Sequence, residues 1–169
     1  RVLFRSYKIL IENGVDVREV LSNATSCMYG KKDDEYINTI IYIYDRDLVS
    51  LNNIITYRLF NHACTYNVVK VVEYLLKKGF FMKKYINKFL KTSVMFNHID
   101  VVNLLVKNEK DVEFIRTDSE LLIYACKYNY LHIVKVLAEY ISVYVNGGEA
   151  LLYACKNEYF EIIVFLSAL

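Results

Sequence analysis

The cysteines and histidines are the side chains of this chain that could hold a metal ion or act as nucleophiles. The 169 residues contain four cysteines and three histidines, without the Cys-x-x-Cys or His-x-x-x-His spacings common at zinc sites. Cys64, Cys126 and Cys155 recur at one position of a repeated pattern. If that position lies on packed neighbouring helices, whose axes are about 8–10 Å apart, the cysteines are too far apart for a disulfide. We therefore predict no metal, and we predict that all three cysteines are small buried core residues.

Sequence motifs of enzymatic catalysis are also missing. Only five glycines occur, and they form neither a phosphate-binding glycine-rich loop nor a Gly-x-Ser-x-Gly nucleophile turn. The carboxylates Glu73, Asp100 and Glu161 have lysines nearby, as expected for solvated helix faces rather than for an acid–base pair in a pocket. The sequence therefore predicts that the protein is not an enzyme and uses no cofactor.

The composition is that of a globular protein. Hydrophobic residues make up 55% of the chain and charged residues 24%, and the net charge is only +2. This small charge disfavours nucleic acid as a partner, although Lys77-Lys78 and Lys83-Lys84 form a small basic patch. No apolar run approaches the roughly 20 residues of a membrane-spanning helix. Four cysteines without a disulfide pattern favour a reducing compartment, so we expect an intracellular, cytoplasmic protein without a membrane partner.

A repeat of about 30 residues dominates the chain. The stretch 119–140 reads SELLIYACKYNYLHIVKVLAEY, and residues 151–166 repeat most of it as LLYACKNEYFEIIVFL. An alanine or serine marks the same position in four copies, with successive separations of 30, 32 and 29 residues: Ala63, Ser93, Ala125 and Ala154. A period in this range is typical of solenoids, in which each unit buries its apolar face against its neighbours.

Each unit is predicted to be two short helices joined by a tight turn. Leu131, Val134 and Leu137 follow helical spacing in the second half of one unit. Three units place an asparagine between the halves, and asparagine tolerates the left-handed conformation that ends many helices. These residues are Asn67, Asn97 and Asn129. Glu158 departs from this pattern, although Asn157 stands next to it.

Several of these residues resemble the ankyrin repeat. Asn-His-Ile-Asp-Val-Val at 97–102 is similar to the Gly-His-Leu-Glu-Ile-Val of that family, and Gly14 and Gly79 resemble the glycine that ends a repeat. The usual Thr-Pro-Leu-His of the first helix is missing, so we expect helix starts without its hydrogen bonds and therefore looser. The Tyr-Ala-Cys-Lys-Asn style resembles the divergent ankyrin arrays of giant DNA viruses, mimivirus-like in character.

The resemblance implies one all-α domain over residues 1–169, an ankyrin-like solenoid of stacked helix-turn-helix repeats with short or degenerate hairpin connectors. It divides into a part-repeat at 1–17, a divergent repeat at 18–48, and repeats at about 49–83, 84–115, 116–145 and 146–169. In the divergent repeat we predict helices at 20–28 and 34–44, joined by Gly30-Lys31-Lys32. Asn146-Gly147 predicts a turn, and the charged connector 108–118 is expected to be irregular. The apolar last helix suggests a fragment of a longer array.

A candidate partner-binding face follows from the repeat. The residues that end each first helix fall in two adjacent columns, and in ankyrin proteins this region borders the concave groove. Aromatic rings offer large rigid contact areas at interfaces, although the rings could equally pack between repeats. The eight candidates are Thr65, Tyr66, Met95, Phe96, Lys127, Tyr128, Lys156 and Asn157.

We expect non-catalytic protein binding through this face and the connector tips. If the viral resemblance holds, the partner is a host protein. The alternative is a structural subunit that assembles end to end through its apolar terminal repeats.

Overall fold

The computed structural model describes residues 2–27, 34–51, 53–80, 85–108, 115 and 118–169. All regular secondary structure in these residues is helical, which confirms the predicted all-α class. None of the helices in the described ranges is long and apolar enough to cross a membrane. The chain divides into two compact units, residues 1–82 and 83–169.

The first unit contains five helices in its described residues. They are α1 (Val2–Glu12), α2 (Val17–Cys27), α3 (Asp34–Asp45), α4 (Ile54–Thr65) and α5 (Val69–Lys77). Helices α2 and α3 pack as a hairpin, and so do α4 and α5. Between hairpins, α2 packs on α4, whereas α3 packs on both α1 and α5. Helices in equivalent positions therefore contact each other.

The second unit repeats this arrangement. Its helices are α6 (Ile86–Met95), α7 (Ile99–Asn108), α8 (Ser119–Lys127), α9 (Leu131–Leu137), α10 (Glu149–Lys156) and α11 (Phe160–Ser167), with a 3₁₀ turn at Val145–Gly148. Helix α8 packs on α6 and α10, and α9 packs on α7 and α11. We call α4, α6, α8 and α10 first helices and α5, α7, α9 and α11 second helices. This packing is consistent with a helical repeat.

The core repeats with the same period as the sequence. The four residues that mark the repeat are completely buried: Ala63, Ser93, Ala125 and Ala154. Twelve positions later, each second helix places a leucine with at most 1% exposure: Leu75, Leu105, Leu137 and Leu166. Each such leucine contributes about 1.5–3 kcal/mol through removal of its side chain from water. A small residue at the repeat-marking position lets neighbouring helices approach closely.

Backbone hydrogen bonds close the turn after each first helix. The carbonyl of each repeat-marking residue accepts the N–H five positions later at 2.9–3.0 Å, from Val68, His98, Tyr130 and Tyr159. The residue before each donor has a positive φ of 56–60°: Asn67, Asn97, Asn129 and Glu158. The asparagine prediction is thus confirmed. Glu158 departs from the asparagine pattern in the sequence, but it adopts the same left-handed conformation because the turn requires it.

A related turn follows α1, α3 and α5. The N–H group that follows Gly14 donates to the carbonyl of Leu10, and the N–H group that follows Gly79 donates to the carbonyl of Leu75. In the same way, the N–H group that follows Asp47 donates to the carbonyl of Ile43. The φ of Asp47 is 52°, against 85° and 86° at the two glycines. Helix α3, predicted as the second helix of the divergent repeat, therefore ends like α1 and α5. Its predicted turn at 30–32 lies outside the described residues.

The first helices of the second unit begin without side-chain caps, as expected from the missing Thr-Pro-Leu-His. Tyr85, Asp118 and Gly148 precede α6, α8 and α10 without a capping hydrogen bond. Helix α4 differs, since Asn53 Oδ1 accepts the backbone N–H groups of Ile55 and Thr56 at 2.8 Å. This cap satisfies two amides that would otherwise lack a partner.

The connector before α10 contains the predicted turn. Asn146 and Gly147 have φ values of 52° and 68°, which confirms the turn signal. Asn146 Nδ2 also donates to Ser119 Oγ at 2.8 Å, which ties this connector to the start of α8. Of the connector predicted to be irregular, only residues 108, 115 and 118 are described.

The burial predicted for the recurring cysteines is correct at two positions and wrong at the third. Cys64 and Cys126 are buried, whereas Cys155 is exposed. In the described part of the second unit, α10 packs on α8 but no other first helix packs on α10. Its outward side, including Cys155, therefore faces solvent. Burial raises the pKa of the Cys126 thiol to about 12, so this thiol stays protonated at physiological pH.

Candidate partner-binding face

The ends of the three first helices of the second unit carry six of the predicted residues. All six are exposed: Met95, Phe96, Lys127, Tyr128, Lys156 and Asn157. We call this set the aromatic edge. Because α8 packs on both α6 and α10, the repeat brings the edge residues to corresponding ends of packed helices. Met95, Phe96 and Tyr128 are 42%, 53% and 45% exposed, which is high for large apolar side chains.

Rings on both sides of the turn support the exposed aromatic residues. Phe96 stacks on His98 across Asn97, with ring centroids 6.0 Å apart and planes 20° apart. Tyr128 stacks in the same way on Tyr130, at 6.1 Å and 26°. The left-handed residue between each pair reverses the chain and brings the rings together. These contacts hold Phe96 and Tyr128 in place while part of each ring remains accessible.

Tyr128 also packs against its own helix. Its ring centroid lies 4.4 Å from that of Tyr124, one helical turn earlier. Burial raises the pKa of Tyr124, and the neighbouring Tyr128 raises it further. The Tyr124 hydroxyl therefore stays protonated at physiological pH and remains a hydrogen-bond donor.

The lysines of the edge have different surroundings. Lys127 Nζ lies 5.6 Å from the ring centroid of Tyr128 and 6.0 Å from that of Tyr153 on α10. The cation–π contact with Tyr153 joins α8 to α10, and such a contact contributes about 0.5–1 kcal/mol at an exposed site. Lys156 is exposed and has no ion-pair partner among the described residues. Asn157 donates its amide to the Tyr153 carbonyl at 2.7 Å.

The two candidates in the first unit are less accessible. Thr65 and Tyr66 follow the same columns at the end of α4, but both are half-buried. Thr65 Oγ1 donates to the Asn61 carbonyl at 2.8 Å. Tyr66 packs edge-on against His62, with ring centroids 5.3 Å apart. Large accessible aromatic surface at these columns is therefore found in the second unit.

A shallow groove of about 430 Å³ adjoins the edge at Met95. Lys88, Lys91 and Asp118 also line it. Lys91 forms an ion pair with Glu120 from the neighbouring first helix, an arrangement missed in the sequence. Opposite charges on adjacent first helices, 29 residues apart, were the available signal. Burial raises the pKa of Asp118, with a further contribution from Glu120.

The described residues contain no group of three or more metal-binding side chains. The aromatic edge presents rings, a thioether and ammonium groups, which can bind a ligand through contact area, cation–π interactions and charge. Comparison of the chain with known protein families and with curated proteins found no match.

Proposed function

We propose that the chain is an ankyrin-like solenoid that binds a protein partner without catalysis, and that the aromatic edge is its binding face. In this proposal each first helix of the second unit contributes its last residues to the contact. The resemblance to viral arrays further suggests an intracellular host protein as the partner.

One observation carries this proposal: Met95, Phe96 and Tyr128 are large apolar side chains left 42–53% exposed at equivalent sites of packed helices. An isolated exposed ring is ordinary on a protein surface, whereas Phe96 and Tyr128 stand at the same repeated position of packed helices, with Met95 beside Phe96, and this arrangement favours a patch. Aromatic residues are enriched among those that dominate binding energy. The rings of Phe96 and Tyr128 are held by neighbouring rings, so binding would cost little conformational entropy.

The edge also suggests the chemistry of the partner. Lys127 and Lys156 lie beside the apolar patch and could contact carboxylates at its rim. We therefore expect a partner surface with an apolar centre and acidic residues around it. The lysines would act more on the association rate than on affinity, because rim charges remain solvated.

Affinity capture with the full chain from its native cell tests the proposal. The variant F96A/Y128A should lose the captured partner, since both rings leave the centre of the patch. The control Y144A removes a ring that is 71% exposed on the connector before α10, and it should retain the partner. Circular dichroism must show that both variants are folded. Unchanged capture by folded F96A/Y128A would refute the proposed face.

A second candidate function is self-association through α10 and α11. Four large apolar side chains on these helices or directly after α11 are 61–71% exposed: Leu152, Phe160, Val164 and Leu169. A second copy covering them would bury apolar surface at about 25 cal/mol per Å². Analytical ultracentrifugation should then detect oligomers that disappear in the variant F160Q/V164Q. A monomer at all concentrations would exclude this candidate.

A further inference from the structure

A polar groove of about 390 Å³ lies between α2 and α4 in the first unit. Nine residues line it: Arg18, Ser22, Thr25, Ser26, Ile55, Tyr57, Arg58, Asn61 and His62. The two helices pack against each other, so the groove is formed by elements of one compact unit. Its size is in the range that accommodates a few side chains of a ligand.

The charges of the groove have one sign. Arg18 and Arg58 are exposed, and neither forms an ion pair with a described residue. No carboxylate lines the groove. The nearby Asp16 carboxylate accepts the backbone N–H of Arg18 at 2.8 Å, at the start of α2. Two guanidinium groups without an ion-pair partner among the described residues favour a carboxylate or phosphoryl ligand, which Arg binds with paired hydrogen bonds.

Two buried polar atoms of the groove residues also lack partners. Asn61 Oδ1 and His62 Nδ1 are inaccessible to solvent and make no hydrogen bond within the described residues. Such buried polar atoms are uncommon in folded proteins, because leaving them unpaired costs free energy. Because both atoms are inaccessible to solvent, an anion in the groove does not contact them, and the exposed groups of the lining must make the contact.

The hydroxyl groups differ in their readiness to donate. Thr25 donates to the Leu21 carbonyl at 2.7 Å and Ser26 to the Ser22 carbonyl at 3.0 Å, both within α2. The Ser22 hydroxyl donates no hydrogen bond to a described residue, so it is available to donate to a ligand. Ile55 and Tyr57 add apolar surface, which suits a side chain carrying the anion better than a free ion.

We propose that this groove binds an oxyanion, carboxylate or phosphoryl, carried on a polypeptide segment. The proposal rests on the proposed function, because it gives the ligand chemistry of a second surface of a protein-binding repeat. A nucleic acid also carries oxyanions. The small net charge of +2 and a groove with only two arginines favour a peptide, because nucleic-acid affinity depends on many phosphate contacts.

Fluorescence anisotropy with the full chain and three labelled peptides tests the proposal. The peptides share one Gly-Ser framework and carry four glutamates, four phosphoserines or four glutamines. We expect the glutamate or the phosphoserine peptide to bind at least about tenfold more tightly than the glutamine peptide. The better of the two identifies the oxyanion. The variant R18Q/R58Q should reduce that binding by about tenfold, through loss of two ion pairs.

The matched control is R5Q/K107Q, which also removes two positive charges, but at exposed positions outside the groove. It should bind within about twofold of the unmodified chain. Equal losses in both variants, or no preference over the glutamine peptide, would overturn the proposal. Tighter binding of a 20-base-pair DNA duplex than of either anionic peptide would also overturn it. These outcomes leave the aromatic edge unaffected, because its test is the separate loss of a captured partner.

Discussion

Replacement of Glu158 by glycine should stabilise the protein, although it removes a charged side chain. Glu158 has a φ of 58°, in a region that costs a residue with a Cβ atom about 1–2 kcal/mol. Glycine avoids that cost but loses roughly 0.5–1 kcal/mol through the greater freedom of the unfolded chain. The Glu158 side chain is exposed and forms no ion pair with a described residue, so its removal loses no visible contact.

The net gain is therefore about 0.5–1 kcal/mol. For a chain of this length, this corresponds to a rise in Tm of about 2 °C. Urea and thermal unfolding followed by far-ultraviolet circular dichroism would measure the change. Amide hydrogen exchange should show the added protection mainly in α10 and α11, next to the turn.

The control for this prediction is E161G, which makes the same chemical change three residues later in α11. Glu161 is also exposed, but it lies within a helix, where glycine costs up to about 1 kcal/mol. The two variants should therefore change stability in opposite directions. If E158G lowers the unfolding midpoint as much as E161G does, the left-handed conformation at residue 158 is wrong, and so is the turn equivalence built on it.

Four further predictions concern polar side chains and cysteines. Thr56→Val should cost about 1–3 kcal/mol in urea unfolding, because it leaves the buried Tyr44 hydroxyl, 2.7 Å from Thr56 Oγ1, without this partner. Tyr44→Phe should cost less, about 1 kcal/mol, because Thr56 still donates to the Ser50 carbonyl at 3.0 Å. Iodoacetamide at pH 8 should alkylate exposed Cys155 rapidly and leave buried Cys126 unmodified, as mass spectrometry would show. Stability should fall as pH rises from about 9 towards 12, because burial raises the folded-state pKa of Cys126 and of Tyr44 to about 12, and unfolding releases their protons.

The turns were the most predictable part of the fold. A left-handed residue leaves a clear sign in the sequence when it is asparagine, as at Asn67, Asn97 and Asn129, because few other residues accept that conformation readily. Asp47 and Glu158 adopt the same conformation. Glu158 could be recognised only by its distance of four residues from Ala154, and Asp47 follows a different helix end that no repeat-marking residue precedes. Backbone hydrogen bonds hold both residues there despite an unfavourable side chain.

Contacts between distant helices were less predictable. The hydrogen bond between Tyr44 and Thr56 joins α3 to the start of α4, and no periodic pattern indicates it. The groove with Arg18 and Arg58 depends on packing between residues 40 positions apart. Cys126 and Cys155 stand in the same Tyr-Ala-Cys-Lys sequence, but only Cys126 is buried. The difference comes from the helices that pack around each cysteine, which the local sequence does not indicate.

The turns after the first helices have a consequence for mutational tolerance. Main-chain atoms form the closing hydrogen bond, from an N–H to the carbonyl five positions earlier, so the bond does not depend on any particular side chain. Even the residue with a positive φ varies between asparagine and glutamate. Such a hairpin can accumulate substitutions over evolutionary time at nearly every exposed position, provided that the small and apolar core residues are kept. Its surface is then free to diverge towards new ligands faster than its backbone changes.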